Sequence, residues 1–258
     1  MYYNSTILSE ATPIRAGTIL TALLAVLWSC ESSPTNPIQS SGGLTNSHVV
    51  EALFLGTGPA LDGAISSACV LGGRDVWYGY ERGVPVRVVL GPSVGAADRP
   101  AIFDLVDQMT EATNGLLAVE VVETNVANPQ PGPNEITMIE VDQQTQTGLR
   151  GFQGTACFKC ASSQLPRLDT CRIFVRNDLQ FSPGTVHNHE LGHALGFCHI
   201  AGSALQTALM GSPQLGSSNV WTGPELEAIA SVYLSELELG ATKADFIAAG
   251  LVDLTGKD

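Results

Sequence analysis

Thr185–Ile200 reads TVHNHELGHALGFCHI. Within it His189 and His193 stand four apart, Glu190 directly follows the first, and Gly196 and His199 follow the second at intervals of three. The spacing predicts a helix, on which residues four apart share one face, a turn above each other. His189 and His193 therefore aim two imidazoles at one point, as a tetrahedral Zn²⁺ requires. Glu190 flanks that point without needing to bind there, which suits a carboxylate that accepts a proton from an attacking water. The helix should stop at Gly196, because glycine accepts the positive φ of a helix C-cap and lets the chain turn back. That turn brings His199 round as a third ligand and leaves a fourth position open. Structural zinc sites are usually closed by four protein ligands, so three histidines beside a carboxylate read as a catalytic arrangement.

A bare His-Glu-x-x-His does occur by accident. With the glycine and third histidine added, chance in a chain of this composition is on the order of 10⁻⁵ per sequence for the extended motif. The chain has five histidines, and four of them, His187, His189, His193 and His199, fall within thirteen residues. His187 lies two before His189, roughly 200° round the helix by its period, and is expected to face away from the metal. Cys198 is expected to pack or to form a bridge.

Eleven residues after His199 comes Met210, in Thr207-Ala-Leu-Met-Gly-Ser-Pro213. The motif from His189 to His199 followed by such a methionine resembles the metzincin metallopeptidases, which carry a methionine turn beneath the metal. Ala208-Leu209-Met210 with Pro213 is most similar to the matrixin branch. The resemblance covers roughly residues 84–237, although only His189–Pro213 is motif-specific. It implies an α+β zincin domain with a twisted mixed sheet, an active-site helix, a Met-turn and a closing helix over Gly223–Leu234. It implies one catalytic Zn²⁺ on His189, His193 and His199, Glu190 as general base, Met210 in the Met-turn and Pro213 in the S1′ wall. The implied substrate is a protein or peptide. This sequence departs from the pattern at Ile200, which matches none of the common residues after the third histidine, and at Gly211, where matrixins commonly have an aromatic. It has no clear counterpart of the matrixin Ca²⁺ and second-zinc loops. Nor is there a cysteine-switch motif, since Cys69 sits in Ser-Ala-Cys-Val-Leu.

Working outward, Val84–Leu90, Leu117–Glu123, Glu135–Val141 and Cys171–Arg176 read as strands, with a weaker one near Gly154–Phe158. Asp98 with Arg99-Pro100 reads as a helix cap, and Ile102, Leu105, Val106 and Met109 recur at helical spacing until Asn114-Gly115. Thr222-Gly-Pro-Glu225 is a capping box with proline in the first turn. Its helix should carry a stripe of Leu226, Ile229, Ala230, Tyr233, Leu234 and Leu237, and Trp221 and Tyr233 are simplest as core aromatics. The order of elements is α+β with a mixed sheet.

Ala16–Ser29 is an apolar run of fourteen after Arg15, too short for a span of roughly 20 residues and suited to a secretory signal. Leu27-Trp28-Ser29-Cys30 resembles the lipobox of bacterial lipoproteins, which implies lipidation of Cys30, with Glu31 favouring the outer membrane. The alternative is an ordinary cleaved signal with an incidental Cys30. Residues 31–47 are Ser, Thr, Asn, Pro and Gly with little that is apolar, which reads as a flexible tether. The organisation expected is a signal over 1–29, a tether over 30–48, an N-terminal extension over 49–83, a catalytic domain over 84–237 and a C-terminal extension over 238–258. In an exported chain Cys69, Cys157, Cys160, Cys171 and Cys198 are disulfide candidates, with one bridge expected within the group 157, 160 and 171, and a second reaching Cys69. Five is odd, so one thiol should remain over. A zinc knuckle built on Cys157-x-x-Cys160 is the other reading, although no second pair accompanies it.

The balance of 12 Lys and Arg against 25 Asp and Glu gives a net charge of −13, which excludes the basic stripe of a nucleic-acid binder. With 44% hydrophobic and 14% charged residues, the chain is no disordered acidic tail. The rival to an enzyme is a non-catalytic surface lipoprotein that keeps zinc for stability; the intact Glu190 stands against it.

Overall fold

The computed structural model describes residues 46–56, 76–142, 144–145, 156–161, 166–178, 181–201, 207–212 and 218–253. All of them fall in one unit, Gln39–Asp258. The frame is a five-stranded sheet of β1 (Val86–Leu90), β2 (Val119–Glu123), β3 (Glu135–Val141), β4 (Ala156–Ala161) and β5 (Thr170–Arg176), in the order β2-β1-β3-β5-β4. Four strands are parallel; β4 alone runs antiparallel to β5, at an edge. Buried parallel strands need apolar residues on both faces. Accordingly β1 buries Val86, Val88, Val89 and Leu90 and exposes only Arg87. The register Val88↔Ile136↔Cys171 carries that core across the middle of the sheet.

Parallel neighbours require a crossover, and α2 (Arg99–Ala112) supplies the one between β1 and β2. Its buried face is Ile102, Leu105, Val106 and Met109, the four residues of the predicted stripe. The helix closes where Asn114 and Gly115 take φ of 51° and 75°. Asp98 occupies the N-cap position but makes no side-chain cap bond; its carboxylate reaches another helix, described below. Helix α3 (Thr185–Ala194) carries the histidines and is buried along its whole length. Helix α4 (Gly223–Tyr233) closes the domain. Its buried face is Glu225, Ala228, Ile229, Val232 and Tyr233, which corrects the predicted stripe. The helix ends at Tyr233, so Leu234 falls at the C-cap and is 49% exposed.

A short α1 (Asn46–Val50) runs into a single π-turn, Glu51–Leu55, and α5 (Lys243–Ala248) lies near the other end of the chain. Val49, Val50, Leu53, Phe54, Leu55, Phe246 and Val252 belong to the same apolar core as the sheet and α3. The Phe54 ring meets Trp77, Phe197, Tyr233 and Phe246 at centroid distances of 5.8, 5.4, 6.3 and 6.3 Å. The contacts with Trp77 and Phe197 are edge-to-face, a packing that is directional as well as apolar, and through Phe197 it reaches the turn that ends α3. Cys171 and Cys198 are both disulfide-bonded, which removes Cys171 from any thiolate zinc site. Cys30, Cys69 and Pro213 lie outside the described residues. Among the described residues no helix is long and apolar enough to cross a membrane.

Candidate metal centre

Helix α3 begins without a side-chain cap, at Gly184 with φ 78°. Its first turn is tied from outside instead. Gly184 N donates to Asp98 Oδ1 at 2.7 Å, and Asn188 Nδ2 donates to the carbonyls of Ala101 and Asn219. The other end closes in a Schellman pattern, with Phe197 N donating to Gly192 O and Gly196 N to His193 O, both at 3.0 Å. Gly196 has φ 106°, and a Cβ there would lie 2.6 Å from Tyr78 O. Both the backbone angle and the space therefore demand glycine, as the sequence predicts.

The turn delivers His199 to the other two histidines. His199 Nε2 lies 3.1 Å from His189 Nε2 and 2.9 Å from His193 Nε2. A carbonyl can only accept, so the outer nitrogens fix the tautomers. His189 Nδ1–H donates to Leu209 O at 2.7 Å, and His193 Nδ1–H donates to Phe197 O at 2.8 Å. The Nε2 atoms of both rings then carry lone pairs directed at one small volume. His199 Nε2 faces both of them, and a convergence of three ring nitrogens is the arrangement that suits a cation. Burial lowers the His189 pKa, against the bond to Leu209, and so favours the neutral, ligating form. His189, His193 and His199 thus form a group that can hold a metal ion, with carbonyl partners orienting two of the ligands.

The turn that carries Met210 packs against α3 at Gly192. A Cβ on Gly192 would collide with Met210 Sδ, so glycine in the middle of the motif is what admits the sulfur. Ile200 N donates to Met210 O at 2.8 Å, and Ile200–Ala201 pairs in parallel with Gly211–Ser212. This ribbon fastens the residue after the third histidine to the turn. Glu225, fully buried, accepts from Met210 N at 2.8 Å and Leu209 N at 3.1 Å, and from the Thr222 amide and hydroxyl. Burial pushes its carboxyl up, and those four bonds pull the other way. The capping box read from the sequence therefore also holds Leu209, whose carbonyl orients His189. Glu190 is buried on α3 beside His189.

The fourth histidine of the cluster lies elsewhere, as its place on the helix predicts. His187 Nε2 is 3.1 Å from Glu140 Oε1, and its Nδ1 is 3.4 Å from Asp98 Oδ1. Sequence spacing gave no hint of Glu140 or of this use of Asp98. The one available signal, an aspartate at a helix start, has a sufficient local explanation. The π-turn also reaches the site: Cys198 N donates to Leu53 O at 2.9 Å, immediately before His199. Comparison of the chain with protein families and with curated proteins finds no match.

Proposed function

We propose that the chain is a zinc-dependent metalloendopeptidase of metzincin type, closest to the matrixins. The observation that carries this reading is the convergence of three histidine nitrogens, two of them held as acceptors by carbonyls on their far sides. A three-imidazole set suits Zn²⁺ and leaves a coordination position for substrate or water. Zinc bound there supplies Lewis acidity toward a peptide carbonyl and lowers the pKa of water. Glu190 takes the proton of the attacking water on its carboxylate and passes it to the departing amine. Buried surroundings keep bulk water from competing for that proton. Strand β4, the antiparallel edge among the described strands, packs on α3 and is placed to take an extended substrate by strand addition. The order of sheet, histidine helix, Met210 turn and closing helix supports the same family. The chain is exported and lipid-anchored through Cys30, and its acidic surface faces solvent.

Casein or gelatin hydrolysis that stops with a chelator and returns with Zn²⁺ is the first expected result. In Glu190→Ala, zinc content by elemental analysis stays at the wild-type level, while kcat/KM falls by about 10²–10⁴-fold, the usual contribution of a general base. A zinc-loaded Glu190→Ala protein that cleaves at the wild-type rate removes Glu190 from the mechanism. A zinc-loaded wild type that cleaves nothing favours the non-catalytic lipoprotein.

A further inference from the structure

We propose that Asp98, Glu140 and His187 form a positioning clamp that sets the rotation of α3 about its own axis, and with it the aim of His189 and His193 at the metal. His187 never touches the metal; it acts through the helix. The inference rests on the metal-centre reading and does not depend on the bond that is cleaved.

The need for such a device follows from the geometry. Metal ligands must be held within about 0.5 Å and 10–20° of their working positions. The apolar side chains of α3, such as Val186, Leu191 and Ala194, are buried, but apolar contact is non-directional and resists rotation weakly. The carbonyl of Phe197 belongs to the turn of α3 itself. The bonds of Asn188 to Ala101 O and Asn219 O and of His189 to Leu209 O tie the helix to the domain elsewhere on its surface, and the face of His187 needs its own hold. His187 lies roughly 200° from His189 around the axis, and each edge of its ring faces a carboxylate oxygen. A hydrogen bond to Glu140 at 3.1 Å and an ion-pair contact to Asp98 at 3.4 Å, on the face opposite the ligands, are placed where rotation is best resisted.

The jaws of the clamp are themselves fixed. Glu140 stands on β3, where its Oε1 also accepts from Gly95 N at 2.9 Å, and its own amide donates to Ser93 Oγ at 3.0 Å. Asp98 Oδ1 also accepts from Gly184 N, the residue that starts α3. Between the jaws the chain passes as glycine: a Cβ on Gly95 would lie 2.6 Å from Asp98 Oδ2 and 3.5 Å from Glu140 Oε1. The sheet, the start of α2 and the start of α3 thus meet at one imidazole. A cation is the other way to join these three side chains. Here, however, the two carboxylates take different ring nitrogens, and each already has an N–H donor, so the group is closed without one.

The test uses the whole chain loaded with Co²⁺, whose visible bands report ligand geometry. In His187→Ala the Co²⁺ dissociation constant rises about 10–100-fold, the range for losing an outer-shell partner, and the visible envelope changes. Glu140→Gln keeps the side-chain length and the acceptor for Gly95, so it preserves the fold and gives a smaller rise with a change in the same bands. Val252→Ala, a cavity in the core, is the control for simple loss of stability: it lowers the melting temperature and leaves affinity and spectrum alone. The clamp is overturned if Glu140→Gln, folded by circular dichroism, matches wild type in both affinity and spectrum. It is also overturned if His187→Ala loses a second equivalent of metal, which would make the group a cation site. A wild type that binds no Co²⁺ overturns the metal centre and the clamp together, whereas failure of the clamp alone shows only in the variants.

Discussion

Helix α3 carries two clusters of ionisable groups on different faces, and they are opposites in charge logic. On one face three imidazole nitrogens lie within 3.1 Å of His199 Nε2, counting that atom itself. Ring nitrogens there converge on one small volume, the arrangement that can hold a metal ion. On the other, one imidazole lies between two carboxylates, so the proton on either ring nitrogen finds an acceptor. Both are groups of three residues of metal-ligating type. Proximity does not tell them apart; the hydrogen bonds on the far side of each ring do. Carbonyls at Leu209 and Phe197 turn two histidines into acceptors, while the carboxylates require His187 to be a donor.

The most forceful way to break this comparison is to remove one residue from the first cluster. In His193→Ala metal affinity is expected to fall by more than about 100-fold, beyond the range for loss of an outer-shell partner. Competition with a chromophoric chelator measures it. If His193→Ala costs no more than His187→Ala, the two faces do not differ in kind, and the assignment of His193 as a ligand fails.

A buried carboxylate with no histidine partner sharpens the contrast. Glu225 is satisfied by three amides and one hydroxyl, so its removal orphans donors rather than freeing a charge. Glu225→Ala should destabilise the metal-free domain by about 1–3 kcal/mol for each buried donor left without a partner, read from urea unfolding. Because Leu209 also holds His189, the same variant should weaken metal binding. Stability lost with metal affinity intact would show that the Met-turn does not orient the ligand. A smaller effect is expected at Gly192. Gly192→Ala forces its new methyl into Met210 Sδ, at a cost of about 1–3 kcal/mol for overpacking. In combination with Met210→Ala the loss should be less than the sum of the two single losses. Strict additivity in that cycle would place the sulfur elsewhere.

What was legible in the sequence follows from the range over which each feature acts. The histidine trio, the stop at Gly196 and the helix-capping role of Glu225 are local, set by spacings of three and four along the chain. The parallel strands were legible for the same reason, as apolar runs bounded by turns. Leu234 was misplaced because periodicity does not say where a helix ends. The clamp was invisible, because Glu140 and His187 meet only once β3 and α3 have packed. Asp98 looked complete as a helix cap, yet its carboxylate serves a different helix. Val49–Leu55 is read from the sequence only as part of an N-terminal extension; neither its place in the core nor its link to the backbone before His199, through Leu53 O, was legible.

Acid titration separates the two faces by order rather than by size. The metal face needs neutral imidazoles, and protons compete for them as pH falls below the ordinary histidine value of about 6.5. At the clamp, burial alone would push the Glu140 carboxyl up. The hydrogen bonds from His187 and Gly95, with the charges of His187 and Arg99, outweigh burial and hold it below its ordinary value of 4.5. A depressed folded pKa gives stability that is fully present above the unfolded value and is lost as pH falls through the folded one. Lowering the pH should therefore release the metal first, while the contribution of Glu140 persists to below pH 4.5. Metal content after dialysis follows the first event. The second is read by comparing the pH dependence of unfolding in metal-free wild type and Glu140→Gln. The two should differ above pH 4.5 and converge as the pH falls below it. Convergence already at neutral pH would mean that Glu140 gains nothing from its partners, and the two faces of α3 would then no longer be distinguished by charge.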